Sequence, residues 1–180
     1  MAFISQFLSF ITVAAHVIIA GGILYFLLFP QDRKKAIVNL LGKNVLLLSF
    51  MLSLIATLGS LFFSEVAGFE PCRLCWFQRI FMYPQTILLG LAWARHDEKI
   101  IDYVLGLSLV GGGISLYHNY IYYFSQAAAF CRPVGQGASC TEKRALGFGY
   151  ISIPLMALTA FILLIALFII HKVYLKREKQ

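Results

Sequence analysis

The stretch Glu70-Pro71-Cys72-Arg73-Leu74-Cys75-Trp76-Phe77-Gln78-Arg79 runs from a short polar segment into an apolar run that continues to position 94. A Cys-x-x-Cys pair therefore stands at the lip of a segment with the length and apolarity of a membrane helix. The rest of the chain has the same character. A hydrocarbon core of ~30 Å takes about 20 apolar residues of helix. Five runs qualify, at roughly 4–29, 44–67, 76–94, 100–124 and 151–171. Across the 180 residues, 60% are hydrophobic and 13% charged, and mean hydropathy is +0.80. That composition excludes a soluble globular domain. The expected fold is an all-α integral membrane protein, one compact unit with little chain left for a soluble domain.

The net charge of +7 is no sign of nucleic-acid binding, because its distribution is topological. Arg33, Lys34, Lys35, Lys43, Arg95, Lys99, Lys172, Lys176, Arg177 and Lys179 fall on one side if the helices alternate. Arg73, Arg79, Arg132, Lys143 and Arg144 fall on the other. Ten against five is the positive-inside pattern. It predicts a multi-pass plasma-membrane protein with its C-terminus in the cytoplasm and its N-terminus and cysteine loops outside. The first run lacks a basic n-region and is too long for a signal-peptide core, so it is expected to be a retained helix.

This topology puts all four cysteines on the outer face, Cys72 and Cys75 in the loop 68–75 and Cys131 and Cys140 in the loop 125–150. Disulfides persist in oxidising compartments. Four cysteines allow three pairings. Three uses fit: two redox-active pairs, two structural staples, or a four-thiolate zinc site. A Cys-x-x-Cys bridge closes too small a loop to restrain the unfolded chain much, which favours redox chemistry over a staple. Zinc would need four permanently reduced thiolates on an oxidising face, so no metal is expected.

Pro71 suits the first position of a helix, which would put Cys72 and Cys75 in the opening turns of the third span. The partial positive charge of a helix N-terminus favours the thiolate, the species that attacks disulfides. Arg79 follows Cys75 by four residues and shares its helix face. It lies about 12 Å below Pro71 at ~1.5 Å per residue, where an arginine either snorkels to the headgroups or serves a buried polar group such as a quinone oxygen. His118, near the outer end of the fourth span, falls at about the same depth. It is either a satisfied structural histidine or a proton relay. Glu65 is a weaker candidate, and His16 has no evident partner.

These residues resemble the DsbB family of disulfide-bond formation membrane proteins, most closely its Gram-positive-type branch, BdbC. The similar stretches are Leu58-Gly59-Ser60-Leu61-Phe62-Phe63-Ser64-Glu65 and Pro71-Cys72-Arg73-Leu74-Cys75-Trp76-Phe77-Gln78-Arg79-Ile80-Phe81-Met82-Tyr83-Pro84, with the histidine of the fourth span and the short Cys131-to-Cys140 loop. The resemblance implies a four-transmembrane-helix bundle over 39–180. An additional N-terminal transmembrane helix and a basic cytoplasmic linker would fill 1–38, and deleting them should leave activity if the core stands alone and inserts in the same orientation. It implies a thiol:quinone oxidoreductase in which Cys131 takes a mixed disulfide with an extracytoplasmic thioredoxin-like thiol oxidase of the DsbA or BdbD type. Cys140 then attacks Cys72, and Cys75 faces a membrane quinone, menaquinone or ubiquinone, beside Arg79 and His118. The second loop is much shorter here than in the best-known Gram-negative members.

Overall fold

In the computed structural model, residues 2–28, 31–124, 140, 145–147 and 150–178 are described. The five apolar runs become five helices: α1 (Ala2–Leu28), α3 (Val45–Leu61), α4 (Arg73–Arg95), α5 (Ile100–Phe124) and α6 (Ile153–Glu178). Val45–Val66, Ile100–Phe124 and Ile153–Glu178 are each long and apolar enough to cross a membrane, and Gln6–Gly22 is a shorter apolar helical stretch. The protein is therefore an all-α membrane protein of the expected class.

Two elements were not expected. The basic segment after α1 is itself a helix, α2 (Gln31–Lys43). Its Val38 is buried, and Gly42 lies so close to Tyr174 of α6 that a Cβ there would come within 2.6 Å of the Tyr174 side chain. The segment before α6 holds a small antiparallel pair, β1 (Ala145–Gly147) with β2 (Ile151–Ser152). Cys131 lies outside the described residues.

Helices α3 to α6 form the bundle, α3 against α4, α4 against α5, and α5 against α6, which returns to α3 and α2. In lipid, helices associate through close packing and interhelical hydrogen bonds rather than through burial from water. Both are present. A Cβ at Gly111 would lie 2.4 Å from Phe161 Cζ, so only glycine lets α5 and α6 approach this closely. Gly113, in the same triplet, meets nothing within 4 Å and does no such packing. Thr57 and Thr86 join α3 to α4 at 2.9 Å. Ser108 donates to Gln85 Oε1 at 2.7 Å, joining α5 to α4. Asn119 donates to the Pro154 carbonyl at 2.8 Å, which ties α5 to the opening of α6.

The ends of α4 set the site. Cys72 is its N-cap, with φ −72° and ψ 173°, so Pro71 stands one residue outside the helix rather than at its first position. The Cys75 N–H points to Cys72 Sγ at 3.4 Å, giving the thiol the role a serine or aspartate usually plays. At the other end His96 is left-handed, and His96 N–H and Asp97 N–H bond back to Trp93 and Ala92 carbonyls. That is a Schellman stop made without glycine.

Candidate functional site

At one end of the bundle the N-terminus of α4, the last turns of α5 and Cys140 converge. Cys72, Leu74, Ile121 and Cys140 form one buried cluster, with Cys75 and Ile114 packed against it. Cys72 donates to Cys75 Sγ at 3.1 Å. Cys72 Sγ also lies 3.7 Å from His118 Nε2. The sulfurs of Cys72 and Cys140 and a ring nitrogen of His118 all fall within 4.8 Å of one another. Cys72 and Cys140, one cysteine of each pair and 68 residues apart in sequence (140 − 72), thus come to a common point.

Cys72 sits just before the first residue of α4. Its hydrogen bond to Cys75, reinforced by burial, pushes its thiol up to about 12, with His118 pulling the other way. The shared proton therefore rests on Cys72 and is offered to Cys75.

His118 is buried and is held on its other side by Gln78, with 3.2 Å between Gln78 Nε2 and His118 Nδ1. Its partners are a thiol and an amide, so it serves the cysteine cluster directly rather than pairing with Arg79. Gln78 escaped the sequence reading. Its signal was its position three residues after Cys75, on the same helix face.

Arg79 does not snorkel. Its Nε donates to Ser60 Oγ at 2.9 Å and its Nη2 to the Ser60 carbonyl at 2.8 Å. Its guanidinium lies 5.4 Å from the Trp76 ring centroid and 5.9 Å from that of Tyr83, within cation–π range. Tyr83 adds a third bond to Ser60, at 3.2 Å. Ser60 precedes a π-helical turn, Phe62–Val66, that ends α3. Such turns are frequent at functional sites. Glu65 lies in that turn, exposed, and accepts from Ser64 at 2.9 Å, away from the cysteines.

Cys72, Cys75, Gln78, Arg79 and His118 share one cleft of about 200 Å³. The rest of its wall is largely apolar, including Leu52, Ile55, Met82 and Ile153. Small-molecule sites have this make-up, an apolar enclosure with a few convergent polar groups.

A multi-pass helical membrane protein with a thiol cluster opening into an apolar cleft defines a class, the integral membrane thiol–disulfide oxidoreductases. Comparison with known proteins gives the family: the model described as "Disulfide bond formation protein DsbB" matches residues 42–171, and the chain belongs to that family. It is similar to the "Probable disulfide formation protein C" of Bacillus cereus, 48% identical over 120 residues, or 65% of this chain and 84% of the relative. It is 42% identical to the "Disulfide bond formation protein C" of Bacillus subtilis over 132 residues, 73% of this chain and 92% of the relative. The "Probable disulfide formation protein" of Deinococcus radiodurans is 41% identical over 134 residues, 68% and 84% of the two chains. The Bacillus relatives set it in the BdbC type. No solved structure matches the chain.

Proposed function

We propose that this protein reoxidises an extracytoplasmic thioredoxin-like thiol oxidase and delivers the electrons to a membrane quinone, so sustaining disulfide formation in exported proteins. The observation that carries this is the meeting of Cys140 with Cys72 and Cys75 at the mouth of the Arg79 cleft. The basic residues support an orientation with the cysteine loops outside and the C-terminus in the cytoplasm.

A thiolate of the partner attacks the Cys131–Cys140 disulfide at Cys131, and Cys140 leaves as a thiolate. Its position within 4.8 Å of Cys72 Sγ suits attack on a Cys72–Cys75 disulfide, which frees Cys75. The partner's second thiol displaces Cys131, completing the partner's disulfide. Cys131 then reclaims Cys140, and Cys72 leaves. One dithiol has become a disulfide in the partner, and one disulfide has become a dithiol at Cys72 and Cys75, so the electron pair is conserved.

The cleft fits a quinone head group. It is largely apolar, it is of ring size rather than the size of a whole tailed molecule, and its polar lining includes the cysteine thiols, the Arg79 guanidinium and the His118 imidazole. Arg79, fixed by Ser60, and Cys75 would hold the head group, with His118 and Gln78 behind Cys72. A bound quinone supplies the acceptor, taking two electrons and two protons. Gln78 Nε2 donates to His118 Nδ1, so the ring proton sits on Nε2, facing Cys72, where it can stabilise the Cys72 thiolate.

The test is anaerobic. Reduced protein in detergent, freed of reductant, is mixed with a soluble quinone analogue while quinol absorbance and thiol count are followed. Quinol matched to thiol loss, and absent in Cys75→Ser, supports the proposal. No quinol with thiols intact refutes it.

A second function, thiophilic metal binding, is favoured by the Cys72, Cys140 and His118 ligand atoms lying within 4.8 Å of one another. Zinc accepts such sulfur and nitrogen ligands. Stoichiometric zinc in protein purified without chelator would favour it. Protein free of zinc would leave the redox function alone.

A further inference from the structure

Helix α1 lies outside the stretch matched to the family, residues 42–171. Yet Leu8, Ile11, Thr12 and Ala15 line the same cleft as Cys75 and Arg79. Their spacing is that of one helix face. The opposite face is exposed as lipid-facing surface would be, with Phe10, Val17 and Ile18 each more than half exposed.

Two contacts hold the lining face in place. Leu8 packs over Gly59 of α3, where a Cβ would sit 3.6 Å from the leucine methyl. His16 Nε2 meets Thr159 Oγ1 of α6 at 2.9 Å. Thr159 already gives its hydroxyl proton to the Leu155 carbonyl at 2.9 Å, so His16 must be the donor. A histidine in mid-membrane is costly without a partner; here it is a tether. Thr12 donates its hydroxyl to the Leu8 carbonyl at 2.9 Å, which leaves an apolar surface toward the cleft. Helix α1 thus bridges α3 and α6 and closes the gap between them with small and aliphatic groups.

We propose that α1 is the specificity wall of the acceptor site. It limits which ring the cleft admits, with Ala15 and Thr12 setting the clearance. This rests on the quinone-reducing function proposed above. Its consequence is that α1 is no dispensable addition: the family core carries the thiols and Arg79, and α1 completes the enclosure.

The test uses the full chain and two readouts. A photoreactive quinone analogue is irradiated with wild-type protein and the labelled peptides are mapped. Label on residues 8–15 together with α4 is expected. Then Ala15→Phe is compared with Ile18→Phe, which points to lipid, by equilibrium binding of a benzoquinone and a larger naphthoquinone analogue. Ala15→Phe should weaken naphthoquinone about tenfold more than benzoquinone, while Ile18→Phe changes neither. If Ala15→Phe does not fold, the wild-type label decides. Label confined to α4 and α3 overturns the wall and leaves quinone reduction standing. Absence of both label and quinol in wild type overturns the two together.

Discussion

The two ends of this bundle use the same helices and fill them differently. Toward the basic end, Val45, Leu46, Leu89, Ala92, Ile101, Val104, Leu164 and Phe168 close on one another as a continuous core. His171, the polar group buried among these last turns, is held by the Gly42 carbonyl at 3.0 Å and faces Glu98 at 3.5 Å. Toward the cysteine end the same helices leave a cleft lined by three thiols, an imidazole and a guanidinium, among other groups. A void forfeits dispersion contacts, so packing alone would not retain one. What sets it there is the cap of α4, the π-helical turn of α3 and the crossing of α1. Stability sits at one end and chemistry at the other.

Substitutions should separate the two. Removing any of the four cysteines should abolish coupled turnover, since each carries a link in the relay. Quinol production driven by reduced partner, followed for each Cys→Ser variant, checks this, and one variant with full turnover would break the relay. Arg79→Ala should raise the KM for quinone about tenfold, close to 1.4 kcal/mol. Exchange with the partner's thiols should stay at the wild-type rate. Unchanged quinone kinetics would make Arg79 a structural clamp on Ser60 alone. At the other end, Leu164→Ala removes a fully buried side chain. It should lower stability by roughly 2–4 kcal/mol, seen in thermal or denaturant unfolding in detergent, with the KM for quinone untouched.

The smallest effect is expected at His118. It holds the Cys72 thiol lower than its burial and its bond to Cys75 would leave it. His118→Ala should therefore keep Cys72 protonated to still higher pH. In the reduced protein, alkylation of Cys72 at pH 8 should slow several-fold, and its alkaline rise should move upward. Mass spectrometry of the Cys72 peptide reads this, and a profile that does not move would make the histidine structural.

The five apolar runs were legible because twenty apolar residues in a row have few other uses. The face shared by Cys75 and Arg79 was legible because helical spacing is local. Ser60 as the partner of Arg79 was not, since 19 residues and a turn separate them. His16 looked orphaned for the same reason: Thr159 lies 143 residues away. The helical state of 31–43 was hidden by its charge, because its burial comes from Tyr174 and α6 rather than from its own composition. Local pattern gave the elements, and the partners came only with the packing.

The central claim is that the two cysteine pairs meet at Cys140 and Cys72. It is tested most directly in the double variant Cys75→Ser, Cys131→Ser, which keeps only those two thiols. Mild oxidation in detergent followed by non-reducing peptide mapping should find Cys72 linked to Cys140 in most of the protein. Two thiols that both remain alkylatable would contradict the account.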